Sequence, residues 1–500
     1  MQTGFLISGK CKVSIQSISL FSRDRINLAP QSGVVCQRIR LPETINSRYS
    51  EISPIVSSDG STLYFTVHGS PENTGYDKNK DDQDVYFSTN IDGKWTEKVR
   101  LPPPVNSPYA NAVCGILADG LGLLLGGLYP HYSGLGPLMT FRSQNRWIVP
   151  KPLPIPNFYN DDEQYGFALS PDGNAVVMSL KRKDALGKRD LYVSVKNEQG
   201  VWSEPRWMGP IVNTRKTETE PYLAADGRTL YFASDGRKGF GKCDLYVTRR
   251  LSDAWTEWSE PFNLGPNFNT RKDEFGISVD ALSGKAFFSS AHQSLGGTDV
   301  FCVETPKFAK PRPTLVLKGN MDTDAPVSIK VYDRNRKRTL MQARAENGKY
   351  QLVLPTENAY FLEWTSEKNE VYIAYYDATD LRESKCETMD VVFKEILPPP
   401  NLVRIKAVAS EDPQKQLRFK VSLDGKFDVA DGEYVFEYTN ATMVLHSPGR
   451  LPVFLPVPAP NTQAHIVCLD PIVVPQSYLA SVGANIAETL KHIEKGKLMF

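Results

Sequence analysis

An Asp-Gly turn recurs through the first three hundred residues and limits what this chain can fold into more than any other feature. It occurs at Asp59-Gly60, Asp119-Gly120, Asp172-Gly173 and Asp226-Gly227, with a degenerate fifth copy running from Asp280 to Gly284. Taking the Asp as marker, the steps are 60, 53, 54 and 54 residues. Short apolar runs flank each turn, as in Ile55-Val56 before and Leu63-Tyr64-Phe65 after. Asp-Gly between β-prone runs is a hairpin signal, because glycine accepts the positive φ of the tight turn. A period of this length marks a repeat architecture rather than one continuous sheet.

The rest of each unit repeats too. Asp-Val-Tyr or a close variant follows at Asp84, Asp190, Asp244 and Asp299, while the second unit keeps only the apolar strand at Leu138-Met139. A tryptophan comes next, at Trp95, Trp147, Trp202 and Trp258, and then a proline-bearing strand ending in an asparagine. Four short strands per unit is the anatomy of a propeller blade, and five units make a small propeller. The fifth unit stops after Phe301-Cys302-Val303, but residues 38–47 match the closing strand of the first unit at 99–107. The N-terminal segment is therefore expected to supply the missing outer strand and leave no free sheet edge.

The expected fold is all-β: a five-bladed propeller over 34–306, preceded by a targeting or disordered segment over 1–33. Three prolines between 306 and 313 read as a stiff linker. Strand alternation over 307–398 predicts a β-sandwich, and 399–471 a second small β domain. Leu479, Val482, Ile486, Leu490 and Ile493 recur at helical spacing, so 472–500 is expected to hold one amphipathic helix. The 36 prolines fit this arrangement and oppose a helical bundle.

Composition excludes several functions. Lys and Arg total 58 against 57 Asp and Glu, so no basic excess points to nucleic acid. Seven scattered cysteines without a CxxC pair read as small buried hydrophobes rather than zinc ligands or a disulfide framework. No apolar run approaches the roughly 18 residues of a membrane span. The chain holds no Gly-x-Ser-x-Gly elbow, no HExxH and no histidine pair at metal-ligand spacing, so the expectation is a chain that is not an enzyme and takes no cofactor. Asp77, Asn79 and Asp81 have the spacing of a calcium loop, yet Asp82 and Ser88 stand where glycine and glutamate belong, which favours a solvated hairpin loop. The repeated Asp59, Asp119, Asp172 and Asp226 belong to hairpin turns. Asp84, Asp190, Asp244 and Asp299 are expected to accept hydrogen bonds from the loops before them.

Ser-Pro-Asp-Gly (170–173), Asp-Leu-Tyr (190–192 and 244–246), Trp-Ser-Glu-Pro (202–205 and 258–261) and Leu-Gly-Pro-x-x-Asn (264–269) together resemble the TolB-type, WD-like propeller repeats of bacterial envelope proteins. The run from Leu315 through Val327–Asp333 to Asn347–Pro355 resembles a carboxypeptidase-regulatory-like sandwich. A propeller followed by that sandwich resembles the OmpA family of Bacteroidetes, including PorE-like components of type IX secretion. That family's peptidoglycan-binding domain has no counterpart here, so no peptidoglycan-contacting residue is carried over. The resemblance implies a non-enzymatic scaffold in the periplasm or at the outer membrane, binding envelope or secretion-system proteins. The alternative is a propeller that binds or cleaves glycans. It is motivated by the uncharged Gly- and Tyr-rich stretch 126–136, whose Tyr129, His131 and Tyr132 are the candidate contacts. A sialidase-like repeat is the nearest enzymatic comparison, but Ser57-Ser58-Asp59-Gly60 lacks the Gly and Thr-Trp that complete that motif.

Overall fold

A computed structural model describes residues 26–28, 37–129, 136–333, 339–356, 358–393, 402–423, 426–431, 433–437, 442–447, 450, 453–456 and 465–469. Residues through Phe393 form one compact unit and those from Lys394 another. The described residues are all-β; the helix expected over 472–500 lies outside them.

Five antiparallel sheets of four or five strands follow one another from residue 39 to 304. Their innermost strands are Ser50–Val56, Asn111–Ile116, Gly166–Leu169, Glu218–Leu223 and Glu274–Val279. Each touches the next and the last touches the first, which closes the ring. Alternating side chains of each sheet meet those of the neighbouring blade, so the hydrophobic core is divided into five wedges between blades. Between the third and fourth blades, for example, Val177 and Leu191 pack on Leu230, Phe232 and Tyr246. Between the fifth and first, Phe287 and Val300 pack on Leu63, Phe65 and Tyr86. Emptying one of these wedges, as in Phe232→Ala, costs about 3–5 kcal/mol.

The ring is latched by chain ends. Ile39–Arg40 pairs with Asp299–Glu304 as the outer strand of the fifth blade, opposite Cys302 and Phe301. Asn46 then holds that junction: its side chain accepts from the Val300 amide at 2.8 Å and donates to the Val300 carbonyl at 3.0 Å. Asn106, Asn213 and Asn269 make the same two-way clasp on Val85, Leu191 and Leu245. Each asparagine satisfies a buried amide that the short outer strand leaves unpaired and shares the carbonyl with an outer-strand amide, as Leu41 does at Val300. Only the Asn46 clasp joins segments 254 residues apart.

The sandwich places seven strands between Thr314 and Thr388 in a three-stranded and a four-stranded sheet. It packs on the Asp-Gly end of the propeller, where Ala118, Ala225 and Leu282 join its core. Gln351 Nε2 donates to the Ala118 carbonyl at 3.0 Å, and the Arg344 amide to Asp119 Oδ2 at 3.2 Å. The connecting segment is bonded to the propeller along its length. Ala309 is fully buried, Arg249 donates to the Phe308 and Lys310 carbonyls, and the Arg312 amide donates to Asp226.

The second unit has a like topology. Its first strand, Leu402–Ala409, pairs antiparallel with Glu433–Glu437 and parallel with His465–Leu469. Thr314–Asn320 does the same with Lys349–Pro355 and Lys385–Thr388 in the sandwich. Val403, Ile405, Phe419 and Val421 fill its core.

The clasp geometry sets a test. Asn46→Ala strands the buried Val300 amide at about 1–3 kcal/mol and loosens ring closure itself. Chemical denaturation should show a loss of that size, with faster proteolysis ahead of residue 46. Asn213→Ala should cost similar stability without the N-terminal cleavage.

Candidate functional site

The inner strands do not run straight through the ring. Register slips between Ile52 and Ile55, Val113 and Gly115, Thr219 and Tyr222, and Phe275 and Ser278 mark a bulge in four of the five blades. Bulges re-aim a side chain and bend the strand. Ser53, Glu220 and Gly276 hold the same place in their bulges, all at positive φ, 51°, 46° and 56°. The backbones meet there. A Cβ on Gly276 would lie 2.7 Å from Ser53 Cα, and one on Gly166 2.9 Å from the Glu220 amide nitrogen. This crowded ring is the throat of the central channel.

Glu220 is the charged residue of the throat. Its carboxylate accepts from Ser53 Oγ at 3.0 Å. Burial pushes the Glu220 carboxyl above its usual 4.5, and the Ser53 hydrogen bond and the Arg189 charge pull it back only in part. The residue as a whole is half-buried. Left-handed φ at a non-glycine residue carries a conformational cost, and such residues gather at functional sites.

Other groups converge on Glu220. Tyr165 lies over Gly126, where a Cβ would come within 2.1 Å of its ring, and stacks on Phe167 at 5.1 Å between centroids. Burial holds the Tyr165 hydroxyl well above its ordinary value, with the Cys114 and Glu220 charges adding to the effect. The Cys243 thiol is raised by burial and then by Asp235, Asp273, Asp244 and Glu220. Asp235 and Asp273 are half-buried, and Asp235 Oδ1 accepts from the Thr217 amide at 2.8 Å.

The channel is stoppered at the Asp-Gly end. A cavity of about 30 Å³ remains there, lined by Ile55, Ile116, Leu169, Tyr222 and their neighbours. That is room for about one water, and the sandwich covers the turns around it.

The residues picked from sequence fall elsewhere. Tyr129 is buried, and its hydroxyl donates to the Val105 carbonyl at 2.7 Å, so it is part of the wedge between the first two blades and offers no exposed contact. His131 and Tyr132 lie outside the described residues. Asp59, Asp119, Asp172 and Asp226 each accept from an amide two residues on, within their own turns. Asp84, Asp190, Asp244 and Asp299 accept from the loops that precede them. Trp95 packs edge-on against Phe287, and the Trp202 and Trp258 rings are buried in the blades. Asp77, Asn79 and Asp81 are exposed, and among the described residues no three His, Cys, Asp or Glu side chains converge as metal ligands.

Sequence reading missed Glu220. The turn spacing hid it: counted back six residues from the Asp of each turn, the position reads Ser53, Val113, Gly166, Glu220 and Glu274, and only the hairpin bonds of the degenerate fifth turn, where Asp280 takes the place of Ala224, put Gly276 at the throat.

No family model matches the chain, and no curated protein does either. Among solved structures it is similar to a glycosyl hydrolase from Bacteroides ovatus, at 10% identity over 55% of this chain and 90% of that one, with a TM-score of 0.33. It is also similar to an α-L-arabinofuranosidase from Lactobacillus brevis, at 12% identity over 55% and 97%, TM-score 0.36. A third is the Trypanosoma rangeli sialidase, at 9% identity over 85% and 88%, TM-score 0.31. Such values assign no activity to this chain. They do correct the expectation that it is not an enzyme, because the similar structures are named as hydrolases. The physical reason is that carboxylates on separate strands need no contiguous motif, so a missing elbow or HExxH excludes only the chemistries that use them.

The raised Glu220 carboxyl sets the sign of a stability test. The folded state holds that proton more tightly than the unfolded chain, so stability falls as pH rises from about 4.5 through the raised folded value. Glu220→Gln mimics the protonated form. Its melting temperature should exceed that of the wild type at pH 7.5, and the gap should close by pH 4.

Proposed function

We propose that this chain is a carbohydrate-acting propeller that binds and hydrolyses a glycan at the throat of its channel. Glu220 is the general acid. One observation carries the reading: a carboxyl fixed at the throat in left-handed backbone, bonded to Ser53, with its proton held up by burial. A ring closure needs no acid there, since Gly166 and Gly276 close the same throat without one. Glycoside hydrolysis uses a protonated carboxyl to protonate the leaving oxygen and a second carboxylate on the other side of the sugar. Asp235 and Asp273, whose charges act on the Cys243 thiol together with that of Glu220, are the acids from which the second is drawn. Tyr165 supplies an aromatic ring beside the acid.

A panel of fluorogenic glycosides and a glycan array test this reading on the full chain. Hydrolysis of at least one glycoside is expected, with the rate falling as pH rises through the raised Glu220 value. Glu220→Gln should lower kcat by at least 100-fold while glycan binding persists, the range of general acid catalysis being roughly 10²–10⁴-fold. Silence on both panels, or full activity in Glu220→Gln, overturns it.

A further inference from the structure

The first blade carries a buried charge that its fold does not need. Two residues before the loop-capping aspartate, the third and fourth blades have Lys188 and Lys242 and the fifth has Gly297. The first blade has Asp82 there, fully buried beside the fully buried Asp84. Asp82 immediately precedes the strand Gln83–Ile91 that holds Asp84, and the two carboxylates accept from the successive amides of Gly75 and Thr74, which brings them together under one loop. Each uses one oxygen locally. Asp82 Oδ2 accepts from the Gly75 amide at 2.7 Å, and Asp84 Oδ2 from the amide and hydroxyl of Thr74, both at 2.7 Å. The other oxygens, Asp82 Oδ1 and Asp84 Oδ1, are buried and accept no hydrogen bond.

Two buried carboxylates this close need compensation, since an unpaired buried charge is costly. The cations at hand are few. Arg100 Nη1 stands 3.7 Å from Asp84 Oδ2, beyond hydrogen-bond reach, and also donates to the Glu72 carbonyl. His68 Nε2 lies 3.8 Å from the exposed Asp81. Burial raises the Asp82 carboxyl, the Gly75 hydrogen bond and the His68 charge offsetting part of this, and the Asp82 charge adds to the rise at Asp84. A backbone oxygen is also present: a Cβ on Gly75 would sit 2.7 Å from the Pro108 carbonyl oxygen and 2.8 Å from Asp82 Oδ2. Asp299 in the fifth blade likewise has a bare Oδ1, but no second acid.

We propose that Asp82 and Asp84 hold a hard divalent cation such as Ca²⁺ between their free oxygens, with the Pro108 carbonyl available as a further oxygen ligand. Oxygen-only ligands with backbone carbonyls and no histidine suit calcium chemistry. The ion would pin the 69–82 loop to the strand that starts the blade's third row. This site is separate from the throat, and its test is independent of any glycan.

Chelator-treated full-length protein titrated with CaCl₂ by calorimetry, and with Tb³⁺ by sensitised luminescence, reads the site directly. One saturable ion per chain is expected, with a rise in melting temperature on adding Ca²⁺. Asp82→Asn should weaken binding at least 10-fold and abolish the calcium-dependent rise. Asp82→Lys places at this position the residue that the third and fourth blades carry, so it should fold and bind no ion. The exposed pair Asp77→Asn/Asp81→Asn should bind as the wild type does. Absence of saturable binding, unchanged binding in both Asp82 variants, or loss of binding in the Asp77/Asp81 pair overturns the proposal.

Discussion

Everything in the propeller depends on how closely five inner strands can approach one axis. Cβ atoms at all five positions would collide, as the 2.7 Å and 2.9 Å approaches at Gly276 and Gly166 show. The strands answer with bulges and two glycines, and the positive φ values at Ser53 and Glu220 follow from the same crowding. Once the throat is closed, the blades must fan outward, their large side chains fill the wedges between them, and their outer strands shrink to two-residue pairs. The asparagine clasps take up the buried amides that those short strands leave unpaired. Ring closure, wedge cores and clasps are one geometrical consequence seen at three radii.

The sandwich extends this logic along the axis. A five-bladed ring with apolar inner strands exposes alanine and leucine at its Asp-Gly end, and Ala118, Ala225 and Leu282 are buried by Leu340, Met341 and their neighbours in the sandwich. The repeat aspartates take on a second task there. Asp119 and Asp226 cap their own turns and also receive amides from Arg344 and Arg312. The Asp-Gly mouth is thereby committed to structure.

Much of the fold was legible in the sequence because it repeats. A turn every 53 to 60 residues fixed the number of blades, and the match between residues 38–47 and 99–107 foretold which segment pairs with the last blade. The docking of residues 306–313 was not legible, because prolines report backbone stiffness and say nothing of Tyr231 and Arg249 waiting to bond the carbonyls. The site was the least legible part. Aromatic and uncharged residues at 126–136 stood out in composition, yet Gly126 is where Tyr165 lies and Tyr129 is core. Glu220 hides within Thr-Glu-Thr-Glu-Pro, where neighbouring Glu218 accepts from Thr214 and Ser234 in a structural role. Two acids two residues apart would share a face in a regular strand. The bulge between Thr219 and Tyr222 breaks that alternation, and register slips of this kind are not written in local composition.

That contrast bears on why Glu220 is the acid to pursue. Glu218 and its counterparts Glu51 and Glu274 are spent: each carboxylate accepts a backbone amide and a hydroxyl four residues earlier, and each is fully buried. Removing one would unpair several donors, so their conservation of place across blades is explained by folding alone. Glu220 accepts a single hydroxyl, is half-buried and sits in a backbone conformation that glycine adopts more cheaply at the equivalent Gly276. A residue that costs stability through both its charge and its φ, and returns one hydrogen bond, is not accounted for by the fold. Its retention at the only throat position with a carboxyl is what a reaction at the throat would require.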